Sequence, residues 1–259
     1  MHPSRVVQAR SSWYAAVRDH LASWGYIVVQ YYTPFWRLPS ISDEIAEFPV
    51  TLSWLERENH RQDSPLYSSI NTSSIATAGH SRGGKVACLL YSKYDRIQSA
   101  WLIDPVDGLN RATPSKENPS GIDALKTSGK RVGIAGAGIV SSCNACKEGN
   151  FASFYNSSMP GSWVVTLSNA SHSSFANAGS FINILQDLVC GKSRMKRTIV
   201  ERINTAVMLT WFQLTLGVTT GRPPGVPFSE FQSWIQGIQD HGLVHFEVKK
   251  PANIKYQVV

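Results

Sequence analysis

Residues 75–90 read IATAGHSRGGKVACLL. The small and β-branched residues at 75–78 predict a short strand, and the apolar residues after Lys85 recur at the spacing of one helix face. The two elements are joined by Gly79-His80-Ser81-Arg82-Gly83, which matches the G-x-S-x-G pattern of a nucleophile elbow. Glycines are expected on either side of the serine because the sharp turn leaves little room for a Cβ. Ser81 is therefore predicted to lie exposed between a strand and a helix.

Strands and helices alternate along the rest of the chain. Four apolar runs predict further strands: Tyr26–Tyr31, Ser99–Ile103, Val132–Ala135 and Trp163–Leu167. Helical spacing predicts these helices: Ser12–Ser23, Glu44–Glu58, Lys85–Tyr94, Arg197–Leu216 and Ser229–Ile238. Pro49 is expected to kink or interrupt the second of them. This alternation predicts an α/β-hydrolase fold, a mostly parallel sheet with helices on both faces.

Length and composition fit one domain. The chain has 259 residues, of which 42% are hydrophobic and 17% charged, enough to bury a sizeable core. We expect one domain over residues 1–259, with a core at about 12–190. Residues 197–259 are expected to form a C-terminal extension, helical at first and irregular at its end.

Charge and hydropathy limit the partners. The formal net charge is +7, but the cations are scattered apart from Lys192, Arg194, Lys196 and Arg197. A solvated face is therefore expected there, and no nucleic-acid partner. No apolar run approaches the roughly 18 residues of a membrane-spanning helix, and Met1 is followed by polar residues and not by a signal peptide. Contact with a membrane is expected to be peripheral at most.

The four cysteines do not indicate a metal centre. Cys143 and Cys146 form a C-x-x-C pair, but no second pair of Cys or His ligands has matching spacing. We expect no metal and no cofactor, and a local disulfide or two free thiols at this pair.

A serine nucleophile needs a base and an acid that orients the base. In α/β-hydrolases the three residues follow one another along the chain in the order serine, acid, histidine. His172 follows a predicted strand, whereas the other histidines after Ser81, His241 and His245, lie in the expected irregular end. Asp104 directly follows the strand ending at Ile103 and is preferred as the acid. Two further candidates are Asp107, which lies in a turn, and Asp123, which lies in a loop. The Arg82 N–H is expected to bind the oxyanion.

Three segments resemble the chlorophyllase family: GHSRGGK at residues 79–85, IDPVDG at 103–108 and YAAVRDHLASWGYIVV at 14–29. The resemblance implies a serine esterase that cleaves the phytyl ester of chlorophyll to chlorophyllide and phytol. By motif position it implies a triad of Ser81, Asp104 and His172. It also implies a small-molecule ester partner and a chloroplast location. No transit peptide is visible, and without the resemblance the cytoplasm is expected.

The chain also departs from the family. Ser171 stands where the family has a glycine. The family's first strands are expected to be missing, together with the HG-type loop that supplies a second oxyanion donor. His2-Pro3-Ser4-Arg5 is expected to be a remnant of that loop. A sheet edge would then be exposed. Two alternatives therefore stay open: a broad-specificity carboxylesterase or lipase-like hydrolase, and a truncated, inactive hydrolase that acts as a binding protein.

Two segments are expected either to pack on the sheet or to form an apolar lid or membrane-facing surface: Tyr31–Trp36 and Arg197–Leu216. The oligomeric state is left open.

Overall fold

A five-stranded sheet forms the centre of the fold. The computed structural model describes residues 11–30, 39–108, 114–144, 148–217 and 228–251. The strands are β1 (Ile75–His80), β2 (Ile97–Ile103), β3 (Gly133–Ile139), β4 (Trp163–Ser171) and β5 (Val244–Val248). The helices are α1 (Ala15–Ser23), α2 (Ile41–His60), α3 (Arg82–Lys93), α4 (Gly121–Ser128), α5 (Phe151–Ser157), α6 (Ser180–Cys190), α7 (Arg197–Leu216) and α8 (Phe228–Asp240). Two short 3-10 helices cover Ser11–Tyr14 and His172–Phe175.

The strands lie in the sheet in chain order, from β1 to β5. Strands β1 to β4 are parallel, and β5 runs antiparallel to β4. Each pair of neighbouring parallel strands is joined through a helix, so the carboxyl ends of β1 to β4 share one edge of the sheet. This confirms the predicted mostly parallel sheet, and it brings the loops that follow these strands together.

Each face of the sheet carries its own core. In β2, Trp101 and Ile103 belong to a cluster with side chains of α1, α7 and α8. The alternate residues Ala100 and Leu102 belong to a second cluster with side chains of α2, α3, α4 and α5. Successive side chains of a strand point to opposite faces, so helices cover both faces, as predicted.

Helix α2 continues through Pro49, which lies inside its 20 residues. The expectation that Pro49 interrupts the helix is therefore wrong, and the expectation that it kinks the helix stays a prediction. A proline has no N–H to donate to the carbonyl four residues earlier, which here belongs to Ile45. The Tyr94 hydroxyl donates a hydrogen bond to that carbonyl at 3.3 Å. The helix begins with a capping box between Ser40 and Asp43.

The end of the chain contributes to the sheet and the core, so the expectation of an irregular end is wrong for residues 244–248. These residues form β5, paired with β4 through contacts such as Val165 with Phe246. Val200 and Val207 of α7 are fully buried, as part of the core that was expected to stop near residue 190. A five-residue edge strand is too short for its alternation to stand out in the sequence.

The described part of the predicted strand Tyr26–Tyr31, residues 26–30, is not part of the sheet. Residues 26–30 lie in no helix or strand, and Tyr31 falls outside the described residues. Tyr26 and Val28 pack against the first core cluster, while Ile27 and Val29 are exposed. Packed and exposed side chains alternate along this segment as they do in a strand, but no strand within the described ranges pairs with the segment. Among the described residues, the sheet begins at β1.

Candidate active site

Ser81 occupies a strained turn between β1 and α3. Its φ is +58°, a conformation that non-glycine residues rarely adopt. A Cβ on Gly79 would lie 2.1 Å from the Gly83 carbonyl oxygen, so this position requires glycine. On the helix side the restricted residue is Gly84, whose Cβ would meet Pro105 at 3.0 Å. Gly83 itself has open space around it, and the expected steric need for glycine there is wrong.

Backbone hydrogen bonds hold the turn in place. The Ser81 N–H donates to the Ile103 carbonyl at 2.9 Å, and the Ser81 carbonyl accepts from Gly84 N–H at 2.9 Å and Val106 N–H at 3.2 Å. The Arg82 N–H is the first of α3, and it donates to no group of the described residues. A free amide at a helix N-terminus is a favourable place for a negatively charged oxygen.

His172 bridges Ser81 and Asp104. Its Nε2 lies 2.9 Å from the Ser81 Oγ, and its Nδ1 lies 2.6 Å from the Asp104 Oδ2. A carboxylate can only accept, so Nδ1 carries the proton and donates it, which leaves Nε2 to accept from the serine hydroxyl. The three side chains come from loops after β1, β2 and β4, which end at the same edge of the sheet. The structure thus brings together the three residues singled out from the sequence.

Asp104 is held by more than the imidazole. The side chain is 2% exposed, and its Oδ1 accepts a hydrogen bond from the Ala137 N–H at 3.0 Å. The Asn144 side-chain amide donates to the Oδ2 at 2.8 Å. Three donors fix the carboxylate and satisfy its buried charge.

The other candidate acids lie elsewhere. The Asp107 carboxylate accepts from the Ser120 Oγ at 2.6 Å and from the Gly121 N–H at 2.7 Å, at the start of α4. It also forms an ion pair with the buried Lys85, 3.2 Å away. Asp123 lies in the first turn of α4, where its N–H donates to the Ser120 side chain. Neither carboxylate has a hydrogen bond to His172 within the described residues.

His80 and Tyr14 hold His172 in place through a series of hydrogen bonds, and neither residue was singled out from the sequence for this role. The His80 Nε2 donates to the His172 carbonyl at 3.0 Å, and its Nδ1 accepts from the Tyr14 hydroxyl at 2.8 Å. The two imidazole rings are 4.6 Å apart. Burial, with His172 alongside, lowers the pKa of His80 well below its usual range. The His80 ring is therefore neutral near pH 7 and links the 3-10 helix that ends at Tyr14 to the His172 turn.

A loop after β3 supplies Asn144, and a disulfide anchors this loop. Cys143 is bonded to Cys190 at the end of α6, so the expected local pairing or free thiols are wrong for Cys143. Cys146 lies outside the described residues. The two bonded cysteines are 47 residues apart in sequence, and the bond ties the loop that follows β3 to the end of α6. The Ser141 N–H and hydroxyl donate to the Asn144 Oδ1, which leaves the amide nitrogen facing Asp104.

We expect Asn144→Ala to lower kcat for a soluble ester by roughly tenfold with little change in KM. The hydrogen bond from Asn144 to a charged carboxylate contributes on the order of 1.5–3 kcal/mol, and part of this orients the imidazole. Steady-state kinetics would measure the change, with Asn71→Ala in an exposed turn as the control. A variant with wild-type kcat would show that Asn144 does not position Asp104.

Several predicted features fall outside the described residues. These include His2-Pro3-Ser4-Arg5, expected to be the remnant of an oxyanion loop, and the whole of the aromatic segment Tyr31–Trp36. Within the described ranges, no group of three or more His, Cys, Asp or Glu side chains is arranged to hold a metal ion. No helix in the described part of the chain is long and apolar enough to cross a bilayer.

Comparison with known proteins places the chain among its relatives. Chlorophyllase-1, chloroplastic, from Citrus unshiu and the protein of the same name from Citrus sinensis are each 35% identical to it over 102 residues. This alignment covers 39% of the chain and only 30% of either relative. The ferulic acid esterase from Streptomyces cinnamoneus superposes with a TM-score of 0.49 at 14% identity, covering 80% of this chain and 54% of that one.

A family model gives the broader assignment. The model for Chlorophyllase matches residues 5–221, well over half of the chain. The matched range contains the elbow, the loop with Asp104 and the turn with His172. The chain belongs to the chlorophyllase family.

Proposed function

We propose that this chain is a serine carboxylic-ester hydrolase that cleaves the phytyl ester of chlorophyll to chlorophyllide and phytol in the chloroplast. The observation that carries the proposal is the hydrogen-bonded series from the Ser81 Oγ through His172 to Asp104, at 2.9 Å and 2.6 Å. Family membership supports the substrate class, and the chloroplastic relatives support the location.

In the first half of the reaction, the Ser81 Oγ attacks the ester carbonyl carbon while the His172 Nε2 takes the hydroxyl proton. The carbonyl π electrons move to the oxygen, and the Arg82 N–H donates a hydrogen bond to this oxyanion. When the tetrahedral intermediate collapses, the bond to the phytyl oxygen breaks. His172 returns its proton to that oxygen, phytol leaves, and the chlorophyllide acyl group stays on Ser81.

In the second half, His172 takes a proton from water, and the resulting hydroxide attacks the acyl carbon. Collapse breaks the bond to the Ser81 Oγ, which recovers its proton from His172, and chlorophyllide is released as the free acid. Asp104 holds the imidazole in one tautomer and stabilises its charged form throughout. These steps require no electron transfer and no bound cofactor.

The substrate is tested by giving the purified chain chlorophyll or p-nitrophenyl butyrate. We expect it to release equimolar chlorophyllide and phytol, measured by mass spectrometry, with kcat/KM higher for chlorophyll than for the short ester. Turnover of the short ester without chlorophyll cleavage would instead indicate a broad-specificity carboxylesterase.

Labelling separates an enzyme from an inactive binding protein. A fluorophosphonate is expected to modify folded protein at Ser81, as located by peptide mapping, because it reacts with a serine activated by a base. Heat-denatured protein serves as the control and should not be labelled. Folded protein that is not labelled and cleaves neither ester would contradict the proposal and favour the inactive hydrolase.

A further inference from the structure

Helix α6 turns its apolar side to solvent. None of its residues is buried, although most of them are hydrophobic. Five side chains are exposed at positions that form one stripe along the helix: Phe181, Ile184, Leu185, Leu188 and Val189. Phe181 is 75% exposed and Leu188 is 77% exposed. A contiguous apolar stripe of this kind marks an interaction surface.

The opposite side of α6 is fastened to the rest of the fold. Arg197 of α7 forms an ion pair with Asp187 and also donates to the backbone carbonyl of Asn183. The same guanidinium donates to the carbonyls of Ser173 and Ala176, in the turn that begins with His172. The disulfide from Cys190 to Cys143 holds the C-terminal end. The polar side is thus occupied by specific contacts, which fix the outward direction of the stripe.

Positive charge lies beside the stripe. Lys192, Arg194 and Lys196 are all exposed and follow α6 within six residues. The one acidic residue of α6 is Asp187, whose charge is paired with Arg197. An apolar stripe next to exposed cations is the pattern of a helix that lies in the surface of an anionic membrane. With 11 residues, α6 is too short to span one.

We propose that α6 is a docking helix for anionic lipid. The stripe enters the boundary between headgroups and acyl chains, and Lys192, Arg194 and Lys196 contact the lipid phosphates. Because the polar side of α6 is bonded to the His172 turn, docking sets the carboxyl edge of the sheet close to the lipid. This proposal does not depend on ester hydrolysis, since it concerns only the surface of α6.

Co-sedimentation with vesicles tests the proposal. We expect the chain to bind vesicles of equal parts phosphatidylcholine and phosphatidylglycerol at low salt, and to bind pure phosphatidylcholine far more weakly. The double variant Phe181→Ser/Leu188→Ser should lower the affinity for anionic vesicles by at least about tenfold, because two large apolar side chains no longer enter the lipid. Val50→Ser on α2 is the matched control, since Val50 is 62% exposed but stands outside the stripe, and it should bind like wild type.

The cations are tested separately. Lys192→Ser, Arg194→Ser and Lys196→Ser should each weaken binding to anionic vesicles by about fivefold. Hydrolysis of a soluble ester should stay at the wild-type rate in all these surface variants, so a failure of docking is distinct from a failure of catalysis. Wild-type protein that does not bind anionic vesicles, or a stripe variant that binds as well as wild type, would overturn the proposal. A dimer by light scattering that Phe181→Ser/Leu188→Ser converts to a monomer, without vesicle binding, would assign the stripe to a second copy of the chain and also overturn it.

Discussion

Replacing Ser81 by alanine is expected to lower kcat for ester hydrolysis by about 10⁶-fold, the scale seen when a serine nucleophile is removed. The reason is that, within the described residues, the Ser81 hydroxyl is the one that is hydrogen-bonded to the His172 Nε2, at 2.9 Å. The turn that holds it in this position has a φ of +58°. Alanine keeps the backbone contacts with Ile103 and Gly84, so the variant should fold like wild type.

The measurement needs two safeguards. Rates should be normalised to total protein, and fluorophosphonate labelling of the Ser81→Ala sample should be used to detect contaminating esterase, because a trace of it would mask a loss of this size. Ser92→Ala is the matched control, since it removes a hydroxyl from α3, the same helix, without touching the elbow; it should keep wild-type kcat. Substantial turnover by Ser81→Ala would show that hydrolysis takes place by another route.

The parts of the site that the sequence reveals are those encoded locally. The elbow is a strand, a turn and a helix within about sixteen consecutive residues, and Gly79 is required by contacts within the same segment. Asp104 follows its strand directly, which places it at the edge where Ser81 also lies. In a parallel sheet, knowing that a residue ends a strand is enough to place it near the others. The order serine, acid, histidine along the chain then suggests His172 as the base.

Contacts between distant segments were not visible in the sequence. The partner of Cys143 is 47 residues away, and the nearer Cys146 was the obvious choice by spacing alone. Asn144 faces Asp104 only because β3 and β2 are neighbours and the loop after β3 turns back over the sheet edge. The same holds for Tyr14, which reaches His80 across 66 residues. Tertiary packing decides which residues form such pairs, and neither hydrophobic periodicity nor a short sequence motif encodes them.

Helix α6 shows that an apolar pattern does not by itself specify burial. Its spacing is that of a helix that covers a core, and a sequence analysis would place its hydrophobic side inward. In the structure the ion pair between Asp187 and Arg197 and the disulfide at Cys190 turn the apolar side outward. These two contacts, one ionic and one covalent, therefore decide the direction of the helix, and both depend on residues outside it.

Asp104→Asn is expected to lower kcat by about 10⁴-fold, the second-largest effect. An amide in place of the carboxylate can present its NH₂ to the imidazole, and then the His172 Nδ1 must accept and Nε2 carries the proton. In that tautomer Nε2 cannot take the proton of Ser81. The Ala137 N–H donates to the Asp104 Oδ1, so it favours the orientation that keeps the amide oxygen there and puts the NH₂ at the Oδ2 position, next to His172. The Asn144 amide, which donates to Oδ2 in the wild type, then loses its acceptor.

The variant Asp107→Asn tests whether the loss of kcat comes from the role of Asp104 in orienting His172 or from the loss of any carboxylate near the site. Asp107 lies three residues along the same loop, but its carboxylate accepts from Gly121 and pairs with the buried Lys85. We expect its replacement to lower the free energy of unfolding by about 2 kcal/mol, since hydrogen bonds to a charged group are lost, and to leave kcat close to wild type. Lys85 keeps two other acceptors, the Asp107 carbonyl and Asn118, which limits the destabilisation.

Measuring kcat and Tm for both variants makes the comparison decisive. The acid that orients His172 should show the large loss in kcat with a modest change in Tm, and the structural carboxylate should show the reverse. Loss of kcat in Asp107→Asn with near-normal turnover in Asp104→Asn would exchange the two roles. That exchange would require the His172 Nδ1 to leave the 2.6 Å hydrogen bond with Asp104 and turn toward a carboxylate that is already engaged at the start of α4. Because such a turn would break contacts on both sides, we expect the large kinetic effect at Asp104.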